Sequence, residues 1–226
     1  MSRRAHSRAP IATYVLIHGA GSDAWYWHRV TPLLRARGQT VIAPTLPCDD
    51  DSAGLAEYAE TVVRAIGTHR DVILVAQSLA GFTAPLVCER VSVSLMVLVA
   101  AMIPAPGEKP ADWWTNTRHR TDGPFDPKQT FFHDVPPDVT AEALARGERR
   151  QSDTPFKKPW PLRAWPRVPT QFLLCRQDRF FPPPFLRRVV KQRLGIAPDE
   201  MDGGHLVALS RPVELVERLE RYHARL

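Results

Sequence analysis

Three side chains in this sequence have the types and the order needed to turn an alcohol into a nucleophile. Ser78 separates two apolar runs in ILVAQSLAGF (73–82), Asp178 stands in FLLCRQDRFFP (172–182), and His205 in MDGGHLVALSRP (201–212). A serine hydroxyl is too weakly acidic to attack a carbonyl unaided. An imidazole can take its proton, and a carboxylate can fix the imidazole's tautomer and stabilise its charged form. Ala76 and Ala80 flank Ser78 at two residues' distance, with Gly81 next. Small neighbours of this kind suit a sharp strand-to-helix turn that strains the serine's backbone, a nucleophile elbow with alanines where glycines are commoner. Such a turn would expose the hydroxyl at the C-terminal edge of a sheet and aim the Leu79 N–H, at a helix N-terminus, toward developing negative charge. The glycine-rich turn of HGAGSDAWYW (18–27) would set the Ala20 amide opposite it as a second donor.

Each feature alone has a plainer reading. Ser78 could cap a helix after a buried strand, Asp178 could be a turn residue, and His205 could sit in a surface loop. Their joint order and their places after the third, fifth and last apolar runs favour the chemical reading. Asp202 and His133 are lesser candidates, the first too close to His205 in the chain and the second inside an irregular segment. The HGAG turn lacks both the lysine of a P-loop and the three-glycine spacing of a dinucleotide fingerprint.

The elements that must position these residues follow from apolar patterning. ATYVLIH (12–18), TVIAP (40–44), DVILVA (71–76), SLMVLVAA (94–101), PTQFLLC (169–175) and a short stretch at 198–201 predict strands. Amphipathic stretches over 25–38, 54–67, 79–90, 183–195 and 212–226 predict helices between and after them. Continuous apolar strands alternating with helices imply a doubly wound α/β unit with a mainly parallel sheet of about six strands. The alternation fails from about 104 to 168, where half of the 22 prolines lie with Trp113, Trp114, Trp160 and Trp165, and where only 138–150 predicts a helix. A short cap inserted between the fourth and fifth strands is expected there, and long irregular excursions commonly serve binding. Trp25, Met102, Trp113 and Trp114 are expected to line a substrate pocket, with Phe131, Phe132 and Trp160 as further candidates. Aromatic packing that merely holds the cap down is the competing reading.

Composition narrows the function classes. With 226 residues and 44% hydrophobic content, the chain suits one domain over 11–226, preceded by a basic stretch, 1–10, expected to be disordered. The net charge of +6 is scattered over solvated faces, so no nucleic-acid partner is expected. Three cysteines without paired spacing predict neither a disulfide framework nor a zinc site. No apolar run is long enough to span a bilayer, and no signal-like apolar segment follows the basic start, so a cytoplasmic protein is expected.

These residues together resemble the α/β-hydrolase superfamily, and within it the branch of plant methylesterases and hydroxynitrile lyases. The resemblance rests on HGAGSDAWYW, AQSLAG, VAAMIPAPGE (99–108), the aspartate of RQDRFFP and the histidine of GGHLVALSRP, and it spans residues 12–226. It implies catalytic Ser78, Asp178 and His205, oxyanion donors at the amides of Ala20 and Leu79, and no metal or organic cofactor. Two positions depart from the lyase pattern: Gly19 replaces a threonine, and Leu206 replaces a lysine after the histidine. The expected function is therefore a serine esterase acting on a small or medium-sized ester, as a monomer or homodimer. A lyase or other non-hydrolytic catalyst on the same triad is the alternative, and a ligand receptor that has kept the pocket is a third possibility.

Overall fold

The computed structural model describes residues 11–120 and 125–226. The disorder expected over 1–10 concerns residues outside that description. Six strands form one sheet: β1 (Thr13–Ile17), β2 (Thr40–Ile42), β3 (Val72–Gln77), β4 (Val93–Val99), β5 (Thr170–Cys175) and β6 (Asp199–Met201). Their order is β2-β1-β3-β4-β5-β6 and every pairing is parallel, so the expected mainly parallel sheet is parallel throughout.

Alternation of side chains along the strands divides the core in two. Val15, Ile17, Leu74, Met96, Leu98, Phe172 and Leu174 face one layer, which is covered by α2 (Leu55–Ile66), α3 (Ala80–Cys88) and α8 (Pro183–Leu194). Tyr14, Leu16, Ile73, Val75, Val97 and Leu173 face the other, covered by α1 (Val30–Ala36) and α10 (Pro212–His223). Burial on both faces is why the strands read as unbroken apolar runs. The chain leaves β1 toward β2 on one side and returns to β3 on the other. The loops that follow β1 and β3 therefore diverge at the C-terminal edge and open a crevice between them, as at any topological switch point.

Two stretches differ from expectation. The helix predicted over 25–38 is divided into a 3-10 turn, Ala24–Trp27, and α1. Asp23 ends the preceding loop by accepting the Trp25 N–H through its carboxylate, at 2.7 Å. Between β4 and β5 the described residues hold four helices rather than one: α4 (Trp113–Asn116), α5 (Pro127–Phe131), α6 (Pro137–Arg146) and α7 (Thr154–Lys157). Proline begins or nearly begins three of them, at Pro127, Pro137 and Pro155, because a first-turn residue needs no N–H and already has helical φ. Three of the prolines that suggested irregular chain are thus helix starts. α6 stops at Arg146 rather than at 150 because Gly147 turns the backbone to φ 77°.

The cap is tied down at both ends. Glu108, almost wholly buried, receives Arg193 of α8 and Asn116 of α4. At the other end Arg149 pairs with Asp49 at 2.6 Å and Arg150 with Asp51 at 2.9 Å, fastening the cap to the loop after β2. A short helix, α9 (Val207–Ser210), precedes α10.

Candidate active site

Ser78 lies directly beyond β3 with φ 54°, a left-handed conformation that strains any residue with a Cβ. The surrounding chain holds it there. Its carbonyl accepts the N–H of Met102 at 2.9 Å and of Gly81 at 3.1 Å. Gly81 has no room for a side chain, since a Cβ there would stand 1.8 Å from the Met102 carbonyl oxygen. Ala76 and Ala80 are fully enclosed. The tight packing thus extends from the alanines to Gly81, where α3 touches the end of β4.

His205 bridges the two other predicted residues. Its Nε2 lies 3.1 Å from Ser78 Oγ and its Nδ1 2.9 Å from Asp178 Oδ2. Facing a carboxylate, Nδ1 carries the proton, which leaves Nε2 free to accept the serine hydroxyl. The other Asp178 oxygen accepts the backbone N–H groups of Phe180 and Phe181 at 2.8 and 2.9 Å. That turn after β5 fixes the carboxylate before the histidine arrives. The rings of Phe131, Phe180 and Phe181 surround the imidazole, with centroids 5.0–5.5 Å away. All three polar side chains are buried, Ser78 being 8% exposed at the floor of a cavity.

The turn after β1 runs beside the elbow. Among the described residues the amides of Ala20 and Leu79 donate to no acceptor. His18, which the sequence had not marked out, shapes this turn. Its Nδ1 donates to the Gly19 carbonyl at 2.8 Å and its Nε2 accepts the Leu46 N–H at 2.9 Å. Burial is the main reason its pKa is lowered to about 4, so the ring stays neutral, as both bonds require. Gln77 donates to the His205 carbonyl at 3.3 Å, and Gln151 of the cap accepts the Gly21 N–H at 3.0 Å. Neither glutamine carried a local signal, because each acts on a backbone group far away in the chain.

A cavity of about 440 Å³ opens over Ser78 and His205. Trp25, Tyr26, Phe131, Phe132, Phe180 and Leu206 supply apolar walls, and Arg146, Arg149 and Gln151 a polar end. Of the residues proposed for a pocket, Trp25, Phe131 and Phe132 border this cavity, whereas Met102, Trp113, Trp114 and Trp160 do not. The Met102 backbone supports the elbow from below. Trp113 and Trp160 are core residues whose indole N–H groups donate to the carbonyls of Ile103 and Phe82. Trp114 packs edge-on against Trp113 and Phe180, away from the cavity. Asp202 pairs with Arg176 at 2.9 Å, and His133 lies against Gly204, so neither belongs to the hydrogen-bonded row. Among the described residues no group of three or more His, Cys, Asp or Glu side chains is arranged to hold a metal. Nor is any helix among them long and apolar enough to cross a membrane.

The sequence profile described as "Alpha/beta hydrolase family" matches residues 14–218. The chain belongs to the alpha/beta hydrolase family. This hydrolase is 28% identical to the rice (Oryza sativa) protein named "Probable esterase PIR7A", with 94% of this chain and 97% of that protein covered. It is 23% identical to "Norfluorocurarine synthase 1" of Strychnos sp, over 92% of this chain and 93% of the other. Among solved structures, polyneuridine aldehyde esterase superposes with a TM-score of 0.78 at 21% identity, covering 94% of this hydrolase and 99% of that chain. At that identity the likeness concerns the fold.

Proposed function

We propose that this hydrolase is a serine esterase that cleaves a small or medium-sized ester through an acyl-enzyme. The observation that carries the reading is the unbroken row from Asp178 through His205 to Ser78, with distances of 2.9 and 3.1 Å, at the floor of an apolar cavity. The name of the rice relative supports the same reaction class.

In this reading His205 Nε2 takes the hydroxyl proton as Ser78 Oγ attacks the ester carbonyl. Asp178 holds the ring and stabilises the imidazolium. The carbonyl oxygen becomes an anion between the amides of Ala20 and Leu79, aided by the N-terminus of α3. His205 then returns its proton to the departing alcohol, leaving Ser78 acylated. Water attacks that acyl group with His205 as base, releasing the acid and restoring the serine. No step calls for a metal or an organic cofactor.

Lyase chemistry on the same residues is the second reading. Gly19 and Leu206 weigh against it, because neither offers the hydroxyl or the ammonium group of the lyase pattern, and Leu206 lines the cavity. The test is a panel of esters of varied acyl and alcohol length, with Ser78→Ala as control and cyanohydrin cleavage assayed in parallel. Labelling by a fluorophosphonate probe accompanies it. Ester turnover and labelling that both vanish in Ser78→Ala are expected. Undiminished turnover in that variant would remove Ser78 from the mechanism, and a wild type that neither labels nor turns over any ester would favour a binding role.

A further inference from the structure

The backbone around His205 is held from several directions, and one hold comes from the cap. Gly203 N–H donates to Gln177 Oε1 at 2.5 Å and Gln177 N–H to the Gly203 carbonyl at 3.0 Å, both within the loops after β5 and β6. Gln77, at the end of β3, donates to the His205 carbonyl. The amide of Gly204, the residue before the histidine, donates instead to Asp134 Oδ2 at 2.6 Å. A carboxylate acceptor makes this a charge-assisted bond, stronger than a neutral one. The fit is close on every side. A Cβ at Gly204 would stand 2.5 Å from Asp134 Oδ1 and 2.8 Å from His133 Nε2.

Asp134 belongs to a segment that both walls the site and is anchored in the core. Phe131 places its ring 5.5 Å from the His205 ring, Phe132 lines the cavity, and Val135 is anchored in the core. The substrate wall and the hold on the histidine loop are thus built from one short length of cap chain, continuous with the end of α5.

We infer that Asp134 is a positioning residue: by accepting the Gly204 N–H it sets the height of His205 over Ser78 and makes the seating of the cap a condition of catalysis. The inference rests on the serine-esterase reading for its kinetic consequences, while its structural core concerns only the histidine loop. Small displacements of a catalytic base are costly, and a shift of an ångström can slow a reaction about a hundredfold.

Asp134→Ala and Asp134→Asn test it, because the asparagine side chain keeps an oxygen that can accept the Gly204 N–H. With the best ester of the panel, Asp134→Ala should lower kcat by about tenfold or more and leave KM nearly unchanged. Asp134→Asn should recover most of the loss. The rate of fluorophosphonate labelling should follow kcat. In both variants the His205 Nδ1 proton, followed by NMR without substrate, supplies a readout that needs no turnover. It should shift or broaden in Asp134→Ala and return in Asp134→Asn. An inactive wild type would count against the esterase reading, and the NMR comparison would still decide for or against Asp134. An unshifted His205 signal in Asp134→Ala, or a fall in affinity alone, overturns the inference. So does an Asp134→Asn protein that is folded and as slow as the alanine variant. If Asp134→Ala does not fold, Asp134→Asn decides alone, with wild-type kcat expected and a tenfold loss overturning the idea.

Discussion

Gly19 approaches Ser78 so closely that a Cβ on the glycine would stand 2.8 Å from the serine's own Cβ and 2.5 Å from Gln77 Oε1. The contact joins the two loops that diverge at the switch point, and Ala20, the next residue, borders the same cavity as Ser78. Gly19→Ala should push these loops apart and reduce kcat/KM by about tenfold or more, the scale for losing one oxyanion donor being roughly a hundredfold. Gly19→Thr should do worse, since its branch meets the same atoms. Ester kinetics on protein with unchanged circular dichroism checks this, and wild-type rates in Gly19→Thr would mean that the loops yield without cost.

Asp178 binds two backbone amides with one oxygen and the histidine with the other. Asp178→Asn can keep the first pair of bonds, so the turn should persist. Its amide in place of Oδ2 would present a donor to Nδ1 and favour the wrong imidazole tautomer. A loss of about a thousandfold or more in kcat is expected, with stability little changed. Rates within tenfold of wild type would show that the carboxylate does not set the tautomer.

His18 makes stability depend on pH in a defined direction. Its pKa of about 4 in the folded chain lies below the ordinary value of 6.5, chiefly through burial. Between those values the unfolded chain binds a proton that the folded chain refuses, so stability is fully present above pH 6.5 and is lost as pH falls toward 4. The contribution amounts to about 3 kcal/mol at most. Urea midpoints measured from pH 7 to pH 4 should fall more steeply in wild type than in His18→Gln. Parallel profiles would mean that other groups govern acid unfolding.

What was legible in the sequence was what local pattern encodes. Strands buried on both faces leave unbroken apolar runs, so the sheet and the order of its elements could be read from runs such as DVILVA and SLMVLVAA. Ser78, Asp178 and His205 stand just beyond β3, β5 and β6, and a parallel sheet puts all such positions at one edge, so their meeting followed from topology. The cap resisted for two physical reasons. Its prolines begin short helices as readily as they break long ones, and α4, α5 and α7 are too short to show a period. Its tryptophans advertise burial without saying on which side. Trp113 points into the core and Trp25 toward the cavity, and only tertiary packing separates them. His18, Gln77 and Asp134 work by bonding to distant backbone groups, a role that leaves no trace in their neighbours.

Trp113 and Phe132 offer a direct comparison between a cap residue that supports and one that touches the cavity. Trp113 is wholly enclosed, packed on Trp114, Phe181 and Phe185 with its N–H on the Ile103 carbonyl. Trp113→Ala should cost about 3–5 kcal/mol, the range for emptying a buried aromatic site. Because Phe181 also meets the His205 ring, the same change should slow every ester by a similar factor while leaving their ranking intact. Phe132→Ala, at the cavity wall, should cost far less stability and should reorder the esters by altering KM for the bulkier ones. Urea unfolding and the ester panel together decide the matter. A reordered panel in Trp113→Ala with normal ranking in Phe132→Ala would return the tryptophan to the pocket from which its packing here removes it.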